Sequence, residues 1–176
     1  MHDDLGAKLL QLLHRSADTA KPLVREAIQD LRDLLKDMEG DALSLEAAIL
    51  QWHEETLQRC DDHGATLTWQ AEASHILLNA REFSELTRIL REAVTNALKH
   101  GTTRSLAVTL GYQSSTLTLV VENDGVGADN PAGAVRGLDI MAGRARKLGG
   151  TCQSNNSSGR WQVELAVPLS GTSGQT

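Results

Sequence analysis

The sequence predicts an α+β protein, a helical hairpin followed by a sandwich of helices on one face of a mainly antiparallel sheet. Three observations carry this. Apolar residues between Leu5 and Met38 recur at steps of three and four. Short β-branched runs after residue 104 alternate apolar and polar. Between them, Ser84 to His100 reads as one long helix. At 176 residues and 40% hydrophobic content the chain is long and apolar enough to bury a core, which excludes a chain that is disordered throughout. The expected organisation is a hairpin over 1–40, a second domain over 41–170 and a disordered tail over 171–176.

The elements follow in chain order. Leu5, Leu9, Leu12 and Leu13 mark the first helix, and Leu23, Ala27, Leu31, Leu34, Leu35 and Met38 the second. Between them Asp18 or Thr19 can cap, with Pro22 in the first turn. Two such helices cannot cover each other's apolar stripes, so a homodimeric four-helix bundle is expected, the alternative being a hairpin packed on its own domain. Ser44 caps a helix that His63-Gly64 closes. Ala65 to Ala71 alternates as a strand, and the long helix takes Ser84 as its cap and Gly101 as its stop. Ser105–Gly111 and Thr116–Glu122 form a hairpin through Tyr112-Gln-Ser-Ser. A glycine-rich stretch from Asp124 to Gly137 leads into a helix over Leu138–Leu148, and Thr151–Ser154 pairs with Trp161–Val167.

Composition excludes several function classes. Lys and Arg number 17 against 23 Asp and Glu, a net charge of −6, and the five aromatic residues (three Trp, one Tyr, one Phe) leave few rings for stacking bases, so no direct nucleic-acid partner is expected. Cys60 and Cys152 have neither metal-ligand nor framework spacing, which fits a reducing cytoplasmic setting. No apolar run approaches a membrane span, and the first residues lack signal-peptide order.

Three segments carry candidate chemistry. In Arg91-Glu-Ala-Val-Thr-Asn-Ala-Leu-Lys-His-Gly101, residues Glu92, Asn96 and Lys99 share one helical face, with His100 beside them. An acid, an amide and a cation on one stripe can hold a metal ion against phosphates, although a solvated polar stripe reads the same way. Val121-Glu-Asn-Asp-Gly-Val-Gly127 ends a strand in a glycine loop that lets backbone approach a ligand, and alone it is also compatible with a turn. Arg136-Gly-Leu-Asp-Ile-Met141 places Gly137 and Leu138 at a helix start, where free N–H groups attract phosphate oxygens.

Taken in order, N-x-x-K-H, N-D-G-x-G and G-L-x-x-M resemble the N, G1 and G2 boxes of the GHKL ATPase superfamily. His2-Asp3-Asp4-Leu5-Gly6 resembles the phosphoacceptor box of two-component sensor histidine kinases, in the subclass whose response regulators carry a LuxR/NarL-like DNA-binding domain. The resemblance spans about residues 2 to 168. It implies a GHKL-type α/β sandwich, ATP and Mg²⁺ as ligands, a response-regulator receiver domain as partner and dimerisation through the hairpin. By the same resemblance His2 is the phosphoacceptor, Asp3 orients it and takes its proton, Asn96 ligates Mg²⁺ and Glu92 assists. Lys99 and His100 meet phosphate charge. Asn123, Asp124, Gly125, Gly127, Gly137 and Leu138 complete the nucleotide site.

The departures are specific. Most relatives have aspartate where Asn123 stands, the residue that accepts a hydrogen bond from the adenine amino group; an amide oxygen can accept too, but without charge and with a flippable NH₂. The first G2 glycine is replaced by Val135, with Gly133 as partial compensation. Ala7 stands where a phosphatase glutamine is common, which implies weak phosphatase activity. Only Met1 precedes His2, so an artificial start at Met1, with a membrane-attached parent and an upstream sensor, is expected, the alternative being that the natural protein begins there. A non-catalytic GHKL nucleotide-binding module and an anti-sigma-type serine kinase remain alternatives at this point. Arg144, Arg146 and Lys147 read as a solvated basic face, the histidines outside the motifs as surface residues, and Trp52, Trp69 and Trp161 as core.

Overall fold

The computed structural model describes residues 42–72, 74–99, 103–124, 131–157 and 160–169, all within the second of the two units into which the chain divides, Ala42–Thr176. The expected hairpin over 1–40, the 171–176 tail, His2, Asp3, Ala7, His100, Gly125 and Gly127 lie outside the described residues.

Strand β1 (Leu43–Ser44) runs into helix α1 (Leu45–His63). The helix begins and ends as the caps demand. Ser44 accepts a hydrogen bond from the Ala47 N–H, and Gly64 adopts the left-handed conformation at φ 70°, closing the C-terminus against Asp61 and Cys60 carbonyls. Strand β2 (Thr66–Ala71) and the short β3 (Leu77–Leu78) follow, the latter antiparallel to β1.

Helix α2 runs over Ala80–Lys99, so it starts one turn before the expected Ser84. The reason is a reciprocal cap at its true start. Asn79 Oδ1 accepts from the Glu82 N–H at 2.8 Å, and Glu82 Oε2 accepts from the Asn79 N–H at 2.9 Å. Tertiary contacts hold the added turn: Phe83 stacks on Trp52 at 5.9 Å, and Trp52 Nε1 donates to Thr87 Oγ1 at 2.8 Å.

Strands β4 (Ser105–Gln113) and β5 (Thr116–Asn123) form the expected hairpin, turned through Ser114 and Ser115 at φ 51° and 61°. Both central residues are left-handed, as the right-handed twist of a two-residue hairpin requires. Helix α3 occupies Pro131–Lys147, starting seven residues before the expected Leu138. Two glycines, each disfavouring helix by about 1 kcal/mol, hide this start in the sequence, whereas Pro131 is well placed in a first turn. Strands β6 (Thr151–Ser157) and β7 (Arg160–Pro168) end the fold, both longer than expected.

The main sheet has the order β2-β4-β5-β7-β6, with β2 parallel to β4 and every other pair antiparallel. Its covered face is built by alternation: Leu106, Val108 and Leu110 from β4, Leu117, Leu119 and Val121 from β5, and Val163, Leu165 and Val167 from β7 are all buried. Against them α2 lays Leu86, Ile89, Leu90, Ala93, Val94, Ala97 and Leu98. A one-residue slip of these strands would turn nine apolar side chains to solvent. At about 1.5–3 kcal/mol each, this exceeds the net stability of a typical domain, so the register is fixed. Trp52 is core as expected, while Trp69 and Trp161 pack against the core partly buried. No helix among the described residues is long and apolar enough to cross a membrane.

Asn79→Ala should lower the stability to urea unfolding by about 1 kcal/mol, whereas Ser84→Ala, within the first turns of the formed helix, should be nearly neutral.

Candidate functional site

The polar stripe of α2 faces α3. Asn96 is buried, and its Nδ2 donates to Glu92 Oε1 one turn earlier at 3.2 Å. This bond fixes the amide: its nitrogen faces the carboxylate and its oxygen faces the other way. Lys99 lies exposed in the last turn, where a cation complements the helix C-terminus.

Gly137 closes the stripe. A Cβ placed on it would stand 2.6 Å from Asn96 Nδ2 and 2.8 Å from Glu92 Oε1. Only a glycine therefore lets the backbone of α3 lie against these two side chains. The expectation of a helix start at Gly137 is corrected: the residue is inside α3, six positions after Pro131, and acts through close approach rather than through free N–H groups. Leu138, next to it, packs partly buried against the core.

An ion pair holds α3 in this position. Arg144 Nη1 meets Glu85 Oε2 at 2.8 Å with side chains only 16% and 7% exposed, and Lys147 Nζ lies 3.7 Å from Glu85 Oε1. Arg81 Nη2 donates to the Lys147 carbonyl at 3.0 Å. The basic face expected to be solvated is thus largely spent on docking α3, with Arg146 exposed.

Asn123 ends β5 on the covered face of the sheet, buried between Leu106 of β4 and Trp161 of β7 in register. Its Nδ2 donates to Thr103 Oγ1 at 3.0 Å, and that hydroxyl donates to the Ala97 carbonyl at 2.7 Å, next to Asn96 on α2. Asp124 has another task. Its Oδ1 accepts from the Arg104 and Ser105 N–H groups at 2.9 and 3.0 Å, capping the start of β4. Those bonds, the one to Ser105 foremost, hold its carboxyl below the ordinary 3.8. Thr103 is the residue that sequence reasoning missed, because a lone threonine before a strand carries no signal.

Glu92, Asn96 and Gly137 are therefore in direct contact, and Asn123 is joined to the same turn of α2 through Thr103. A carboxylate and an amide oxygen one turn apart are hard donors suited to Mg²⁺, which characteristically takes few protein ligands and completes its shell with phosphates and water. The other candidate groups are occupied elsewhere. His53 lies edge-on to Trp69 at 5.2 Å, His63 Nδ1 is 3.0 Å from the Arg59 carbonyl, and His75 Nδ1 is 2.9 Å from Glu46 Oε1. Burial pushes the thiols of Cys60 and Cys152 up to about 11, which makes them poor nucleophiles.

Residues 82–171 match the family model of histidine kinase-, DNA gyrase B-, and HSP90-like ATPases. The nitrate/nitrite sensor protein NarQ of Escherichia coli K12 is 32% identical over 184 residues, covering 90% of this chain and 31% of NarQ. The sensor histidine kinase LiaS of Bacillus subtilis is 25% identical over 170 residues, covering 95% of this chain and 45% of LiaS. The chain thus spans less than half the length of these relatives. Among solved structures, full-length ShkA in complex with AMPPNP superposes with a TM-score of 0.64 at 16% identity over 95% of this chain and 46% of ShkA, a likeness of fold.

Two glycines of α3 should respond oppositely to alanine. At Gly143 the nearest atom to a new Cβ is Arg146 Nη2 at 3.9 Å, so Gly143→Ala should stabilise by about 0.5–1 kcal/mol. Gly137→Ala gains the same propensity but forces Asn96 aside, at about 1–3 kcal/mol, so urea unfolding should show a net loss of up to about 2 kcal/mol. Asp124→Asn should lower stability by less than about 1 kcal/mol, the group being exposed. Since the folded-state carboxyl titrates below its unfolded value, the difference should be complete above pH 3.8 and vanish as pH falls through the folded value, read from urea midpoints against pH.

Proposed function

The chain belongs to the histidine kinase-, DNA gyrase B-, and HSP90-like ATPase family, and on that premise we propose that it is the catalytic core of a sensor histidine kinase. In this reading ATP phosphorylates His2 and the phosphoryl group passes to an aspartate on a response-regulator receiver domain. The observation that carries it is the seating of Gly137 on Asn96 and Glu92, which joins two separate motifs into one polar site. The similarity to NarQ and LiaS, whose names describe sensors, supports the kinase branch of the family.

Each residue has a defined task. The imidazole of His2 attacks the γ-phosphorus as the bond to the ADP oxygen breaks, and Asp3 orients the ring and takes its proton. Asn96, through Oδ1, and Glu92, directly or through water, would hold Mg²⁺. When bound, that ion neutralises phosphate charge. Lys99 and His100 face the same charge, and the glycines at 125 and 127 let backbone approach the nucleotide. Asn123 accepts from the adenine amino group, and Asp124 fixes the strand end that carries it. Leu138, next in sequence to the closing glycine, packs against the core. Little else is asked of the protein, since phosphoryl transfer rests on positioning and charge stabilisation. Dimerisation through the 1–40 hairpin, a cytoplasmic location for this portion, and attachment to a membrane through an upstream segment belong to the same proposal.

Incubation with γ-labelled ATP and Mg²⁺ should give an acid-labile label on the protein that His2→Ala abolishes. Asn96→Ala should reduce it by about 100-fold or more with the fold intact by circular dichroism. Acid-stable label on a partner serine, or nucleotide binding without any labelling, would refute the kinase reading.

A further inference from the structure

We propose that Thr103 is a positioning residue that sets the base specificity of the nucleotide site, by locking the Asn123 amide so that it accepts from a 6-aminopurine and rejects a 6-oxopurine. This rests on the reading that Asn123 faces the base.

A single proton, that of the Thr103 hydroxyl, decides the orientation. Ala97 lies in the last turn of α2, where carbonyls lack an intrahelical donor. The Thr103 hydroxyl fills that need, donating to the Ala97 oxygen at 2.7 Å. A hydroxyl has one proton, so towards Asn123 the Thr103 oxygen can only accept. The amide must then present its NH₂ to Thr103, at 3.0 Å, and carry its oxygen on the opposite side. Turning the amide over would set oxygen against oxygen at a buried position, or strip the proton from Ala97 and orphan a helix carbonyl.

The consequence is chemical. An aspartate at this position would be an acceptor whichever way it turned. An asparagine is an acceptor on one side and a donor on the other, so unrestrained it could receive the amino group of adenine or, flipped, the carbonyl oxygen of guanine. Three groups from three parts of the chain, the Ala97 carbonyl, the Thr103 hydroxyl and the Asn123 amide, remove that ambiguity and give an uncharged side chain the selectivity of an acceptor. Asn123 itself cannot swing clear of this relay, being 5% exposed at the strand end.

The test is calorimetric binding of ATP and of GTP to the full chain with Mg²⁺, which reads affinity independently of phosphorylation. The wild type should prefer ATP. Thr103→Val, which keeps the shape and removes the hydroxyl, should reduce the ATP-to-GTP preference by about tenfold or more, and Thr103→Ser should restore it. In an Asn123→Asp background, Thr103→Val should leave the preference unchanged, since a carboxylate needs no orienting. A folded Thr103→Val protein with the wild-type preference, or a Thr103→Ser protein that behaves like it, overturns the inference while the proposed function stands. Equal binding of ATP and GTP by the wild type overturns it together with the placement of the base at Asn123.

Discussion

Between α3 and the polar stripe of α2 there is no room for one more carbon atom, and the arrangement of the candidate site follows from that contact. Asn96 and Glu92 can be roofed by main chain only because residue 137 has no side chain. The approach is held from the far end of α3 by Arg144 on the buried Glu85, with Met141 and Ala145 of the same helix fully buried. A buried carboxylate without its partner would be strongly destabilising, so α3 is committed to this docking wherever Glu85 is enclosed. The ion pair contributes position more than net stability.

The sheet supplies the second half of the site through strand parity. Val121 and Asn123 lie on one face of β5, and the apolar alternation that buries Val121 also carries Asn123 beneath α2. Asp124 falls beyond this alternation and turns to the backbone at the start of β4. Two adjacent polar residues of similar shape thus acquire unrelated tasks. One amide is held against α2 through Thr103, and one carboxylate ties the strand end that keeps it there.

Much of this was legible in the chain. The caps at Ser44 and Gly64, the hairpin about Ser114-Ser115 and the one-sided sheet follow from local patterns, and the order of the three motifs led to the family that the comparison bears out. The start of α2 was legible in principle, since Asn79 and Glu82 stand at capping-box spacing, but Ser84 offered a second plausible cap and only the packing of Phe83 on Trp52 decides between them. The start of α3 was not, because two glycines within its first seven residues argue locally against helix. Arg144 looked like surface charge because nothing near it in sequence reveals Glu85, which lies 59 residues away.

By itself the sequence determined where most elements form, which face of each is apolar and which residue types carry the chemistry, because these depend on neighbours a few positions along the chain. Tertiary structure alone decided that Gly137 roofs Asn96, that Arg144 serves Glu85, and which way the Asn123 amide points. Those outcomes depend on which atoms come within hydrogen-bonding distance across elements. A difference of one ångström there separates a site from a clash, and no local pattern encodes it.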